Sequence, residues 1–406
     1  MPSTDRANVP RSTATADPDP YPNYAWLRQR SPVSVVFSPH GIGKTWLVTS
    51  YELGRVALAD PRLSNDSRNG ADPVRAAAGE DDNMARDLLG LDGIEHARLR
   101  RMVTGLFTAH AVRRWQDMIE QVCARAIDAF ATAGTADLVA DFALPVPVGV
   151  IHEVLGVPDH QRKDPARCFD LFFRGGLALP HDPAAYEELI AYTDHLLDYK
   201  RRHPGDDVAS HLVRLRDAGE LRDERELRSM LLGLLGAGHV TTVQFFGCGL
   251  LRLLTDPALL DRLTVGETSW SDAVNEVLRI DPPIQATVHR YAVEDLEIGD
   301  VTVRRGDAVL ISVGAANRDP GRFHQPDVFD TGRGNQSHLA FGHGAHLCLG
   351  VHLARLEGEI GLRMLMQRLD GLRLAIAPQE VVWSYGPMLR GPRELPVTFT
   401  PATRPA

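Results

Sequence analysis

His338-Leu-Ala-Phe-Gly-His-Gly-Ala-His-Leu-Cys-Leu-Gly-Val-His-Leu-Ala-Arg355 is the most informative stretch of this 406-residue chain. Cys348 lies in a run containing Gly342, Gly344 and Gly350 that leads into apolar positions at Leu349, Leu353, Leu356, Ile360 and Met364. That spacing predicts a helix with one buried face, starting just after Leu349. A cysteine at the head of a helix sees the positive end of the dipole and several free amide donors. Both favour thiolate, the form that attacks a substrate or ligates a metal. His343 and His346 are near enough in sequence to act as a base for a nucleophile. The glycines favour the other use, because they let the backbone approach a large flat object closely.

A second segment points the same way. Ser229 to Leu251 carries no formally charged side chain and is long enough to span a bilayer. Its centre, however, holds His239, Thr241, Thr242 and Gln244, and polar groups are least tolerated at a bilayer's midplane. A helix buried in protein is the better reading. Asp223 can cap it, with Glu226 three residues on, and Asp256–Pro257 stops it. About 32 residues at 1.5 Å each make a rod of roughly 48 Å. Gly236, Ala237 and Gly238 either let a neighbouring helix come close or leave room for a flat ligand; sequence leaves both open. A thiolate as sole protein ligand to a haem iron fits loop and helix together.

Composition narrows the rest. The net charge of −9 argues against nucleic-acid binding. With 44% hydrophobic and 24% charged residues, the chain is of ordinary globular type. Cys123, Cys168, Cys248 and Cys348 form no Cys-x-x-Cys pair, which removes zinc ribbons, thioredoxin motifs and disulfide frameworks. Residues 1–20 read as a disordered polar lead-in without the apolar run of a signal peptide, so a cytoplasmic protein with no membrane partner is expected. Residues 21–406 are expected to form one domain. Strands are predicted at Val33–Phe37 and Thr45–Ser50, a helix at Tyr51–Leu58, and helices throughout roughly residues 94–279. Gly299–Asp300 between Leu296–Ile298 and Val301–Val303 signals a hairpin. Gly43-Lys44-Thr45 imitates a phosphate loop, but Ser38 and Pro39 stand where a glycine turn is needed, and strand-forming residues follow where a helix must open. The coarse picture is mainly α with a small β-rich region.

The spacing of Phe341, Gly344, Cys348 and Gly350 resembles the haem-binding signature of the cytochrome P450 family, Phe-x-x-Gly-x-x-x-Cys-x-Gly. Composition alone would produce it in roughly one such chain in 10³. Glu276-Val-Leu-Arg279 is similar to the family's Glu-x-x-Arg, although Glu95 and Arg98 share that spacing. The resemblance implies the triangular-prism P450 fold and a haem b whose iron takes Cys348 as axial ligand. It implies that His96, Arg100, Arg290 and His346 hold the haem propionates, that Phe341, Gly350, Ala237 and Gly238 flank the haem, and that Glu276 and Arg279 form a structural ion pair.

The activity implied is a monooxygenase-type oxidation using O2 and electrons from NAD(P)H through a ferredoxin and its reductase. Thr241 and Cys348 would be the catalytic residues and the protein a monomer. In the family, Ala-Gly-x-Asp/Glu-Thr on the long helix supplies a hydroxyl that helps pass protons and an acid that links it to solvent. This chain has Ala237-Gly238-His239-Val240-Thr241, so the hydroxyl is kept and the acid lost. Water or a polar group of the substrate, His239, or chemistry such as radical coupling could answer that loss; the first is favoured.

Substrate contacts are expected at His239, Val240, Gln285, Thr287, Val288, His289 and Met388. They are expected within segments 64–90, 171–180, 232–240, 284–289 and 388–389. Polar lining suits a small organic molecule with hydrogen-bonding groups, and tailoring of a secondary metabolite is expected. Catabolic hydroxylation is the alternative, and a haem sensor or carrier without turnover the rival of another class. An acidic ferredoxin is expected to dock near Arg98, Arg101 and Arg355.

Overall fold

The computed structural model describes residues 19–38, 43–71, 87–174, 182–334, 337–385 and 388–402. The described residues are predominantly helical, with small sheets. The helices that shape the site are α1 (Tyr21–Arg30), α2 (Tyr51–Ala59), α3 (Gly93–Thr104), α4 (Gln116–Asp128), α5 (Pro145–Leu155), α6 (Pro165–Phe172), α7 (Glu224–Thr255), α8 (Trp270–Ile280) and α9 (Val351–Arg368).

Helix α7 keeps the predicted ends. Asp223 Oδ1 accepts the Glu226 N–H at 2.9 Å, and Asp256 turns away to accept the Leu259 N–H at 3.0 Å, starting the next helix. It packs on α5, α6, α8 and α9 within the main hydrophobic core. Among the described residues it is the one helix long and apolar enough to cross a membrane, but 67% of its most apolar window is buried inside the protein. A core helix satisfies the same pattern through protein contacts. Ser269 caps α8, accepting the Asp272 N–H at 3.0 Å.

A five-stranded sheet is built from β1 (Val33–Ser38), β2 (Gly43–Val48), β3 (Leu63–Ser64), β4 (Arg290–Ala292) and β5 (Ala308–Ile311), in the order β1-β2-β5-β4-β3. Strands β2 and β5 are parallel and the other pairs antiparallel. The Gly-Lys-Thr segment is therefore the start of a strand. Thr45 is buried opposite Ala308, and the Lys44 ammonium lies over the Trp46 ring at 4.3 Å. No helix opens after it, which removes the phosphate-loop reading. The predicted hairpin pairs Ile298 with Val301, and Gly299 takes the positive φ its turn requires. The sheet and α2 form a second, smaller core.

Candidate active site

The loop before α9 is held open by backbone geometry. Gly342 and Gly344 have φ of +73° and +76°, a region that favours glycine. A methyl on Gly344 would lie 3.0 Å from the Ala59 Cα and the Leu58 carbonyl oxygen, so the loop rests directly on α2. The Cys348 N–H donates to the Phe341 carbonyl at 2.8 Å, closing the loop, and Gly350 caps α9. Cys348 is half-buried, whereas Cys123, Cys168 and Cys248 are fully buried in the core. Burial pushes the Cys348 thiol up, and the Gly350 N–H and Arg100 only partly offset this. Burial thus opposes the preference for thiolate that the helix end supplies. Coordination to a metal deprotonates a thiol outright.

Beside this loop α3 and β4 assemble a set of cation-bearing donors. The Arg100 guanidinium donates to the Leu347 carbonyl at 2.5 Å, one residue from Cys348. The His96 and His346 rings lie 4.2 Å apart. His96 is buried, its Nε2 has no hydrogen-bond partner, and burial together with His346 and Arg100 pulls its pKa down to about 4. Arg290 is also buried. Its Nε has no partner, its Nη1 reaches only the Leu63 carbonyl at 3.4 Å, and burial disfavours its charge. A buried guanidinium with an open donor requires an anion. The two carboxylates of haem fit that demand, so the residues present fit the group.

Behind the loop, Glu276 and Arg279 make a bidentate pair at 2.8 and 2.7 Å. Arg279 also donates to the carbonyls of Asn317, Pro326 and Val328. Sequence reading missed Arg333, which donates to Glu276 Oε1 at 2.9 Å from a separate turn. Nothing local marks it, because the partner is 57 residues away. The Glu95–Arg98 pair of the same spacing is a half-exposed surface contact at 3.4 Å.

On α7, Ala237 is exposed midway along the helix, and the Thr241 hydroxyl, one turn on, donates to the Ala237 carbonyl at 3.3 Å. These two define its open face. Several expectations around them need correction. A methyl on Gly238 would lie 2.5 Å from Ile151 Cδ1, and one on Gly236 2.7 Å from the Phe172 ring. Both glycines admit neighbouring helices on the side where a side chain would stand, and Gly238 stays half-buried next to the exposed Ala237. The His239 ring points the same way. It is fully buried against Phe172 and Phe169, with Nδ1 on the Leu235 carbonyl at 2.8 Å, and burial lowers its pKa to about 4. It therefore neither lines the open face nor supplies the missing acid. Val240 is buried in the main core.

Gln285 is likewise buried away from a ligand, its amide donating to the Pro282 carbonyl at 2.8 Å and the Tyr21 hydroxyl at 3.3 Å. The half-buried Thr287 hydroxyl oxygen accepts the Ile311 N–H at 3.2 Å, since this segment runs beside β5. Val288, His289 and Met388 are half-buried. Of the expected substrate segments, residues 72–86 and 175–180 lie outside the described residues. The expected docking patch also changes. Arg98 is committed to Glu226, Glu95 and the Glu220 carbonyl, and Arg355 donates to Asn275 and lies over the Phe341 ring at 5.3 Å. Arg101 alone of the three is exposed.

One soft axial donor and a clamp for two carboxylates are what an iron porphyrin requires, and together they define a haem-thiolate oxidoreductase. Comparison with known proteins agrees. The family profile for cytochrome P450 matches residues 271–379. The chain is 38% identical to the cytochrome P450 monooxygenase PikC of Streptomyces venezuelae over 94% of this chain and 91% of that one. It is 39% identical to the mycinamicin IV hydroxylase/epoxidase of Micromonospora griseorubida, over 93% and 94%. The tirandamycin C-bound P450 monooxygenase TamI superposes with a TM-score of 0.84 at 35% identity, covering 94% of this chain and 98% of that one.

The chain therefore belongs to the cytochrome P450 family. It is a monooxygenase that uses haem b, O2 and electrons passed from NAD(P)H by redox partners to oxidise a small organic molecule. Its relatives include enzymes that tailor secondary metabolites.

Proposed function

We propose that this enzyme tailors a secondary metabolite in the cytoplasm, as a monomer, with electrons delivered by a ferredoxin and its reductase. Cys348 would ligate the haem iron, and His96, Arg100, Arg290 and His346 would hold the haem carboxylates. When bound, haem supplies reductive activation of dioxygen, favoured by the electron push of a thiolate. Val288, His289 and Met388, half-buried, offer a partly apolar wall to the substrate. The arrangement of α7 carries the reading. The Thr241 hydroxyl lies on the open face while Val240, at the family's acid position, is buried in apolar core. Thr241 positions a proton donor, and the proton behind it comes from water or from a polar group of the substrate.

Two measurements test this. Titration with a panel of natural-product scaffolds should shift the Soret band for at least one, and that compound should give an oxidised product with reductant and O2. Val240→Asp should change the ratio of product to NAD(P)H consumed, because a positioned acid is worth 10²–10⁴-fold in typical proton transfers. An unchanged ratio and rate would show that position 240 has no part in the proton path.

A further inference from the structure

Asp92 stands at the N-cap of α3, where an aspartate ordinarily accepts an amide of the first turn. Here its side chain makes no such cap bond. Instead Oδ1 accepts from His346 Nε2 at 3.0 Å, and Oδ2 accepts from the Ser64 hydroxyl at 2.6 Å and the Asn65 N–H at 2.8 Å. Asn69 in turn donates to the Ser64 oxygen at 2.9 Å. One carboxylate thus joins the β3 turn, the head of α3 and the cysteine loop, segments up to 282 residues apart in sequence (Ser64 to His346). Burial would raise its pKa, but the bonds from His346, Ser64 and Asn65 hold it down to about 2. It also acts on Arg290 as a counter-charge.

We propose that Asp92 is a positioning residue: it fixes the His346 ring, and through it the Cys348 loop, and places a negative charge beside the clamp for the haem carboxylates. This rests on the assignment of His96, Arg100, Arg290 and His346 proposed above. A histidine whose Nε2–H is taken by a carboxylate has its ring plane and tautomer set, leaving Nδ1 to face the other way. The sacrificed helix cap is the cost of that orientation.

The test is hemin titration of the haem-free protein, followed by the reduction potential of the loaded protein and the Soret position of its reduced carbon monoxide complex. Asp92→Asn removes the charge and keeps the shape. Outer partners of ligating groups typically contribute 10–100-fold to affinity, and the expected weakening of hemin binding is at least about tenfold. The potential should move to more positive values, because a negative charge that favours ferric iron has gone. Ser64→Ala, which loosens the carboxylate but leaves its charge, should weaken binding less and leave the potential in place. If Asp92→Asn does not fold, the faster hemin loss expected of Ser64→Ala decides the positioning role, and its absence overturns it. Unchanged affinity and potential in Asp92→Asn overturn the proposal. Arg290→Leu separates the two levels. If it weakens hemin binding and Asp92→Asn does not, only the role of Asp92 fails; if neither does, the assignment of the clamp fails with it.

Discussion

Glu276 and Glu357 are both buried glutamates, 4% and 1% exposed, on helices α8 and α9 that pack against each other. Their surroundings differ completely. Glu276 accepts from Arg279 twice, from Arg333 and from the Asp330 N–H. Glu357 Oε1 has no partner, and its neighbourhood holds the buried Cys123 of α4 and the packing of Gly358 on Phe245. Burial alone pushes the Glu357 carboxyl up to about 8. The first region backs the cysteine loop and is stiffened by a polar network whose members satisfy one another. The second joins helices through close contact and tolerates a carboxyl by keeping it protonated. A buried charge is costly unless paired, and the two glutamates show both ways of meeting that cost.

Removing one partner of the first network should have the larger effect. Glu276→Gln leaves the guanidinium groups of Arg279 and Arg333, both with little side-chain exposure, without their shared carboxylate. Breaking such a pair costs about 3–5 kcal/mol, so the variant should lose most of its haem-loaded yield and unfold at markedly lower urea. A variant with parental stability would mean that the network is dispensable for the loop.

The second region predicts a dependence on pH. An unfolded chain releases the Glu357 proton near the ordinary value of 4.5, while the folded protein holds it to about 8. Between those values the folded state binds more protons, so stability falls as pH rises, by at most about 1.4 kcal/mol per pH unit, and levels off above 8. Glu357→Gln removes that slope. Variant and parent should unfold alike near pH 5, and at pH 9 the variant should be the more stable by on the order of 4 kcal/mol. Parallel stability curves from pH 5 to 9 would place a partner on Glu357.

The same contrast explains what could be read from the chain. Cys348, its glycines and the Glu276–Arg279 spacing are local patterns, and the ends of α7 are local caps. Arg333 and Asp92 act across long separations, which one-dimensional spacing does not register. Helix α9 shows a subtler failure. The apolar stripe at Leu349, Leu353, Leu356, Ile360 and Met364 predicts its buried face, yet the deepest positions are Leu353, Glu357, Gly358, Ile360, Gly361, Leu362 and Leu365. The buried face is rotated toward Gly358 and Gly361, where methyl groups would come within 2.6 Å of the Phe245 and Phe246 rings. Counting apolar side chains misses contacts made by having none. On α7 it is His239 that departs from expectation, its ring packed against Phe172 and Phe169.

Gly238 gives the smallest and most discriminating test of that lesson. Two explanations of this glycine make opposite predictions: it admits a flat cofactor, or it admits α5. The geometry favours α5, since an added methyl would meet Ile151 Cδ1 at 2.5 Å and Cγ1 at 2.8 Å but Cβ only at 3.5 Å. In Gly238→Ala the helix gains up to about 1 kcal/mol from alanine, while overpacking costs about 1–3 kcal/mol, leaving a net loss of roughly 1 kcal/mol. Ile151→Ala removes both offending carbons. In a double-mutant cycle the two changes together should therefore cost less than the sum of the single changes, with a coupling above about 0.5 kcal/mol. The Soret spectrum should be unchanged throughout. Additive stabilities with a displaced Soret band in Gly238→Ala would return this glycine to the cofactor face, and with it the sequence-based picture of α7.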